Sequence, residues 1–407
     1  MATGPRPTTI RRMTPLPSTS RISRPLRSRR TLIAGGVGIA AVVIGGVVAF
    51  ATATPPQPAA AATPTPSPTA TASPSPTPTP SPTPSPSPTP EPTPVAERCP
   101  LDGMPIAEGY DPVGPALAVQ IENHPAARPG RNLNNADIIV ETTVEGDTTR
   151  FTGIYYCDAT IGMTGPVRSA RYYNIDLWQD LRVLTVGFGA SPGAVDRFVR
   201  AGMPYPNGID GGWPWYQRYG SRGAPHNLYV DLEGMRAALT TNARLSALAD
   251  RVDELRPPWQ FSDEPALPDE SRAVSQIDMR TNSYWRFGFT WDDGQKVYLR
   301  SDAGAFIEDE ATGDALAPTS VIVQRVTQET VFGDPDPGGN PRRLHHLVGS
   351  GEATLYTQGR AYDLRWERRS AGEGTIWAFA ANGQPVEMPP GQVWWEILPV
   401  GARLTEG

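Results

Sequence analysis

Side chains able to do chemistry concentrate in five short segments of this 407-residue chain, at predicted strand ends and turns. Glu122-Asn123-His124 with Arg128 forms the first, and Glu141 with Glu145 the second. Arg150 is the third, Arg168-Ser169 with Arg171 the fourth, and His226-Asn227 the fifth. Arginine forks match carboxylate or phosphate oxygens two at a time. Paired carboxylates can hold sugar hydroxyls or move protons. The set reads as a polar Arg/His/Glu groove that takes a ligand. The alternative is that these groups pair with one another and only satisfy a buried polar network.

An enzyme built on the same residues is a hydrolase or transferase. Glu141 and Glu145 would be acid and base, Arg168 and Arg171 the anion holders, and His226 the proton shuttle. A glycosidase pair needs carboxylates about 5 to 9.5 Å apart. On one continuous strand, residues 141 and 145 share a face and lie about 13 Å apart, so a turn or bulge must intervene. A second catalytic candidate is Gly189-Ala190-Ser191-Pro192-Gly193, which fits G-x-S-x-G between a strand and a helix. Asp196 or Asp210 and then His226 would follow in triad order. Pro192 argues against it, because the residue after the nucleophile must donate an N–H to the oxyanion. Ser191 capping a helix that opens on Pro192 explains the same residues. The chain has no Walker A loop, no HExxH and no CxxC, and no cofactor or metal is expected.

The elements that must position these groups differ along the chain. In residues 99–255, ALAVQIE, ADIIVETTV, RFTGIYY and LRVLTVGF read as strands, and Arg171–Leu181 and Pro192–Ala201 as helices. A long helix is predicted from Asp231 to Leu255, with Leu232, Met235, Leu239, Leu245, Leu248, Val252 and Leu255 on one face. Residues 256–274, proline-rich, read as a linker. In residues 275–404 short strands and Gly turns dominate without helical periodicity. The fold class expected is an α+β ectodomain followed by a small, mainly-β C-terminal domain. Trp394 and Trp395 alternate on the last long strand, one toward the core and one toward solvent. The tract Gly211–Tyr219 is an aromatic loop that either closes a glycan groove or plugs the core.

The first quarter is an address. Residues 1–31 hold eight Arg and no acid, and form a basic cytoplasmic tail. Residues 32–53 are uncharged and long enough to span a bilayer of about 30 Å, with positive charge on the inner flank. A single-pass anchor is the preferred reading, with a cleaved signal peptide as the rival. Residues 54–98 hold 17 of the 46 Pro, among Ser and Thr, and form a disordered stalk of polyproline II. The net charge of −6 hides an acidic body, with 28 basic residues against 42 acidic beyond residue 31. That balance argues against general nucleic-acid binding. The expected partner is a cell-wall glycan or peptide, or an envelope protein. Cys99 and Cys157 would both lie outside the cell, where a disulfide persists. The rival is a free catalytic Cys157 with His124 or His226 as its base.

The segments IENHPAARPGRNLNNADIIVETTVEGDTTRF, GPVRSAR, GASPGAVD and RGAPHNLY resemble the YerB family of bacterial cell-envelope lipoproteins, as do GRAYDLRW and PGQVWWEILPVG further on. The resemblance covers nearly all of residues 99–401. It implies an extracytoplasmic, membrane-tethered protein in two parts and implies no reaction. This chain departs in its anchor, since no lipobox Cys follows the apolar run.

Overall fold

A computed structural model describes residues 97–407, apart from 159–160 and 283–284. The predicted tail, membrane span and nearly all of the stalk lie outside the described residues. Among the described residues no helix is long and apolar enough to cross a membrane.

The first three predicted strands form where their alternating or apolar runs place them: β1 (Leu117–Glu122), β2 (Ile138–Thr143) and β3 (Thr149–Tyr155). β3 pairs antiparallel with both of its neighbours. The unexpected neighbour is strand Val393–Pro399, which runs parallel to β2 with Ile138 opposite Val393 and Glu141 opposite Glu396. Strand Ser320–Val326 continues the sheet on its far side. Strands 349–357, 360–368 and 376–379 follow, so both sequence halves build one large mixed sheet. A second, five-stranded sheet gathers strands 305–306, 297–302, 286–292, 276–280 and 403–406.

The helices are α1 (Tyr173–Leu181), α2 (Pro192–Ala201), α3 (Gly208–Gly211), α4 (Leu232–Thr241) and α5 (Ala243–Ala249). α2 matches its predicted span, and the Ser191 side chain accepts from Ala194 N at 3.2 Å. The long predicted helix is instead two. Asn242 takes an extended backbone and its side chain accepts from Arg244 N and Leu245 N, starting α5 as a cap. An Asn side chain that competes for backbone donors favours such a break over continued helix.

The large sheet is covered on both faces. One face packs Ile139, Phe151 and Trp394 against α4 and against Phe287 and Phe289 of the second sheet. The other packs Ile138, Val140 and Trp395 against Tyr173, Leu177 and Leu181 of α1 and against Trp259, Trp366 and Trp377. Trp394 and Trp395 alternate as predicted, but both are buried, because the strand that carries them has no solvent face. The predicted linker is also integrated: Trp259 stands edge-on to Trp395 at 5.8 Å, residues 260–261 pair with 387–388, and residues 272–273 pair with 360–361.

The disulfide forms, with Cys99 and Cys157 Cα atoms 5.8 Å apart, so Cys157 is not a free nucleophile.

Candidate functional site

The sequence candidates collect at the end of the large sheet where β1 and β2 finish and β3 begins. Arg150 stands opposite Glu122 on β1 and opposite Thr142 on β2. Segment 165–170 laces the edge: Glu122 N donates to Pro166 O, Arg168 N to Gln120 O, and Val167 N to Leu228 O. Gly165, at φ +152°, is needed there, since a Cβ would meet Val167 N at 2.9 Å and Leu228 O at 3.1 Å. The turns at Pro129, Pro166 and Pro225 carry cis peptide bonds.

The sheet's pleat then divides the candidates, because successive side chains point to opposite faces. On the α1 side lie Glu122, Arg150, Glu145, Arg171 and, from the lacing segment, Arg168 and Ser169. Glu122 is buried and takes Arg168 Nε at 3.1 Å on one oxygen and His226 Nδ1 at 3.1 Å on the other. His124 stacks on His226 with ring centroids 5.3 Å apart. Glu145 takes both Arg171 Nε, at 2.7 Å, and Arg171 Nη2, and also pairs with Arg342. Ser169 O accepts from Arg150 Nη1 at 3.1 Å and from Arg171 Nη1 at 2.9 Å. The Ser169 hydroxyl is spent on Phe188 O.

Four guanidinium groups thus converge on two carboxylates. The electrostatics record the excess. Burial alone would raise Glu145, but Arg171, Arg150 and Arg342 outweigh it and bring its pKa to about 2. Burial, with the Arg171 charge adding to it against Glu145, lowers Arg150 to about 10. Arg150 Nε has no hydrogen-bond partner among the described residues.

The opposite face holds Asn123, Arg128 and Glu141. Glu141 is fully buried, and its oxygens accept from Arg300 Nη2 at 2.8 Å, Arg300 Nε at 3.1 Å and Thr149 Oγ1 at 2.6 Å. Asn123 Nδ2 donates to Thr149 Oγ1 at 2.7 Å and accepts Arg128 Nε on its Oδ1 at 2.9 Å. Arg128 also pairs with Asp302. Glu396, across the parallel strand pair, completes the cluster without a bond of normal geometry, although Glu141 and the Trp394 indole adjoin it. Burial and then the Glu141 charge hold its carboxyl well above the usual range. Arg300 lies over the rings of Phe287 and Trp394.

Several expectations end here. Glu141 and Glu145 lie on opposite sides of the sheet, so they cannot act as acid and base on one bond. Ser191 is no nucleophile elbow: its hydroxyl donates to Asp334, which also accepts from Tyr172 OH at 2.7 Å, and His226 is engaged by Glu122. Asn227 turns away and accepts from Arg218 at 2.9 Å. The aromatic loop plugs the core, with Trp213 buried and donating to Asn207 O at 3.2 Å.

Sequence reasoning missed Arg342, Arg300, Glu396 and His345. Burial lowers His345 to about 3, and its Nε2 meets Thr142 and Thr143 hydroxyls at 3.0 and 3.1 Å. Glu396 alone left a visible signal, a charge at an inward position of the apolar strand VWWEIL.

Comparison with known proteins gives one consistent answer. Residues 101–245 match the family described as "Protein of unknown function (DUF3048) N-terminal domain". Residues 275–395 match its C-terminal domain. The chain is 27% identical over 303 residues to "Putative lipoprotein YerB" of Bacillus subtilis (strain 168), covering 74% of this chain and 86% of that protein. The crystal structure of YerB protein from Bacillus subtilis matches with a TM-score of 0.62 at 25% identity, over 76% of this chain and 99% of that one. Both domain matches occur in order, and sequence and fold lead to the same relative: the chain belongs to the YerB-like family, whose two domains have no known function.

Proposed function

We propose that the protein is an extracytoplasmic envelope protein, tethered to the membrane, that binds an anionic group of a cell-wall glycan or peptide at the Arg168–His226 edge. The observation that supports it most is the charge cluster around Glu122 and Glu145: Arg150, Arg168, Arg171 and Arg342 face those two carboxylates, with Asp334 beside Arg342 as a third acid. This positive spot sits on a body of 28 basic and 42 acidic residues. Its outer members remain reachable, with 31% of the Arg168 side chain and 25% of that of His226 exposed, and His124 exposed beside them. Guanidinium and imidazole N–H groups at a half-exposed rim recognise carboxylate or phosphate and leave the rest of a polymer in solvent.

The tether rests on the uncharged run 32–53 behind an Arg-rich flank, a pattern that supports a cytoplasmic N-terminus with the folded part outside. The relative named as a putative lipoprotein supports a membrane-attached place by another anchor. The proline tract would act as a spacer between membrane and wall.

Titration calorimetry of the purified full-length protein tests the reading. Anionic wall fragments should bind and neutral glycan fragments of the same length should not. Equal heats from both, or none from either, would contradict it.

A further inference from the structure

The Cys99–Cys157 bridge opens on a cavity of about 740 Å³ that is also lined by Asp102, Asp137, Lys296 and Gln392. Its two sulfurs are not equivalent. Cys99 is buried, whereas Cys157 is half-buried. Asp137 lines the cavity beside the bridge, with Oδ1 3.8 Å from Cys99 Sγ. Its other oxygen accepts from Tyr156 N at 2.6 Å and Cys157 N at 3.3 Å, which fixes the carboxyl toward the sulfur.

We propose that this bridge is a thiol-exchange site, in which a small thiolate attacks Cys157 Sγ and Asp137 protonates the departing Cys99 sulfur. The thiolate electron pair forms the new S–S bond to Cys157. The pair of the old S–S bond leaves on Cys99, which takes the Asp137 proton and becomes a thiol. The incoming thiol is oxidised to the mixed disulfide, and Cys99 is reduced. A buried sulfur that leaves as a thiolate needs a proton close by, because burial disfavours its charged form.

The carboxyl is suited to that role. Burial first, then the neighbouring Asp102 carboxylate, raise Asp137 to about 8, against the two backbone N–H groups and Arg236. Tyr110 and Tyr155 also face it electrostatically and add no cation. Asp137 therefore holds its proton at neutral pH and gives it up in mildly alkaline solution.

The test uses the full-length chain in detergent with reduced glutathione, quenched by iodoacetamide and mapped by peptide mass. The result expected is glutathione on Cys157 and alkylation of Cys99 in protein whose near-ultraviolet circular dichroism stays native. The rate per thiolate should fall above pH about 8. Asp137→Asn should slow it about a hundredfold, the loss of a positioned acid. Should that variant fold poorly, Asp102→Asn keeps the test open: it removes the charge that raises Asp137, so the alkaline fall should move to lower pH. Glutathione that adds only in urea, addition at Cys99, a folded Asp137→Asn protein that exchanges at the native rate, or an unmoved pH profile in Asp102→Asn would each overturn the proposal.

Discussion

Glu141 and Glu145 are four residues apart and face opposite sides of one sheet: Glu141 lies buried under Arg300, and Glu145 is clasped by Arg171 and Arg342. The first is a sealed internal pair. The second belongs to the charged rim, and the two respond to different experiments.

Glu145→Gln should destabilise the protein by about 3 kcal/mol, since it leaves Arg171, Arg342 and Arg150 without their shared counter-charge. Because Glu145 falls from 4.5 to about 2 on folding, its contribution is present above about pH 4.5 and is lost as pH drops toward 2. The variant should lack that acid-limb loss in denaturant titrations. Added phosphate should stabilise the variant more than the native protein, because three forks are freed.

Glu396 gives the opposite pH signature. A carboxyl held above its ordinary value binds more protons folded than unfolded, so stability falls as pH rises from about 4.5. Glu396→Gln should flatten that fall in a urea-unfolding series. Arg300→Met should cost about 3 to 5 kcal/mol, as it leaves the buried Glu141 charge with only neutral donors such as Thr149 and no counter-charge.

Trp259 tests how far the proline-rich segment is structural. Trp259→Ala should cost about 3 to 5 kcal/mol, as for other buried aromatic truncations, and quench part of the fluorescence shared with Trp377 and Trp395. A loss below 1 kcal/mol would return that segment to the status of a tether.

Ser191→Ala should cost about 1 kcal/mol through the lost cap and should change no chemistry, because the hydroxyl serves Ala194 N and Asp334. A fluorophosphonate probe should label neither protein.

What was legible in the sequence was what local pattern encodes. β1 to β3 show as alternating or apolar runs, and α2 shows through Ser191, Pro192 and Gly202. The parallel pairing of Val393–Pro399 with β2 leaves no local mark, because its partners are about 255 residues apart. That one pairing explains several differences at once. It buries both Trp394 and Trp395 and places Glu396 beside Glu141, the partner of Arg300 from the second sheet. The candidate residues read in sequence as one polar concentration, and pleat parity splits them between two faces. Arg342 was invisible as a site residue, since only the fold brings it to Glu145.

Binding at the α1-side rim is tested most directly by Arg168→Ala with His226→Ala in the full-length protein, titrated with an anionic cell-wall fragment at two salt concentrations. Both side chains are part-exposed, but they are the partners of buried Glu122, so the double variant should lose about 3 kcal/mol and is titrated at a temperature where circular dichroism shows it folded. The predicted result is a loss of affinity of at least tenfold with a weaker salt dependence. Unchanged affinity and unchanged salt dependence in the folded double variant would contradict the assignment of this edge as the binding site.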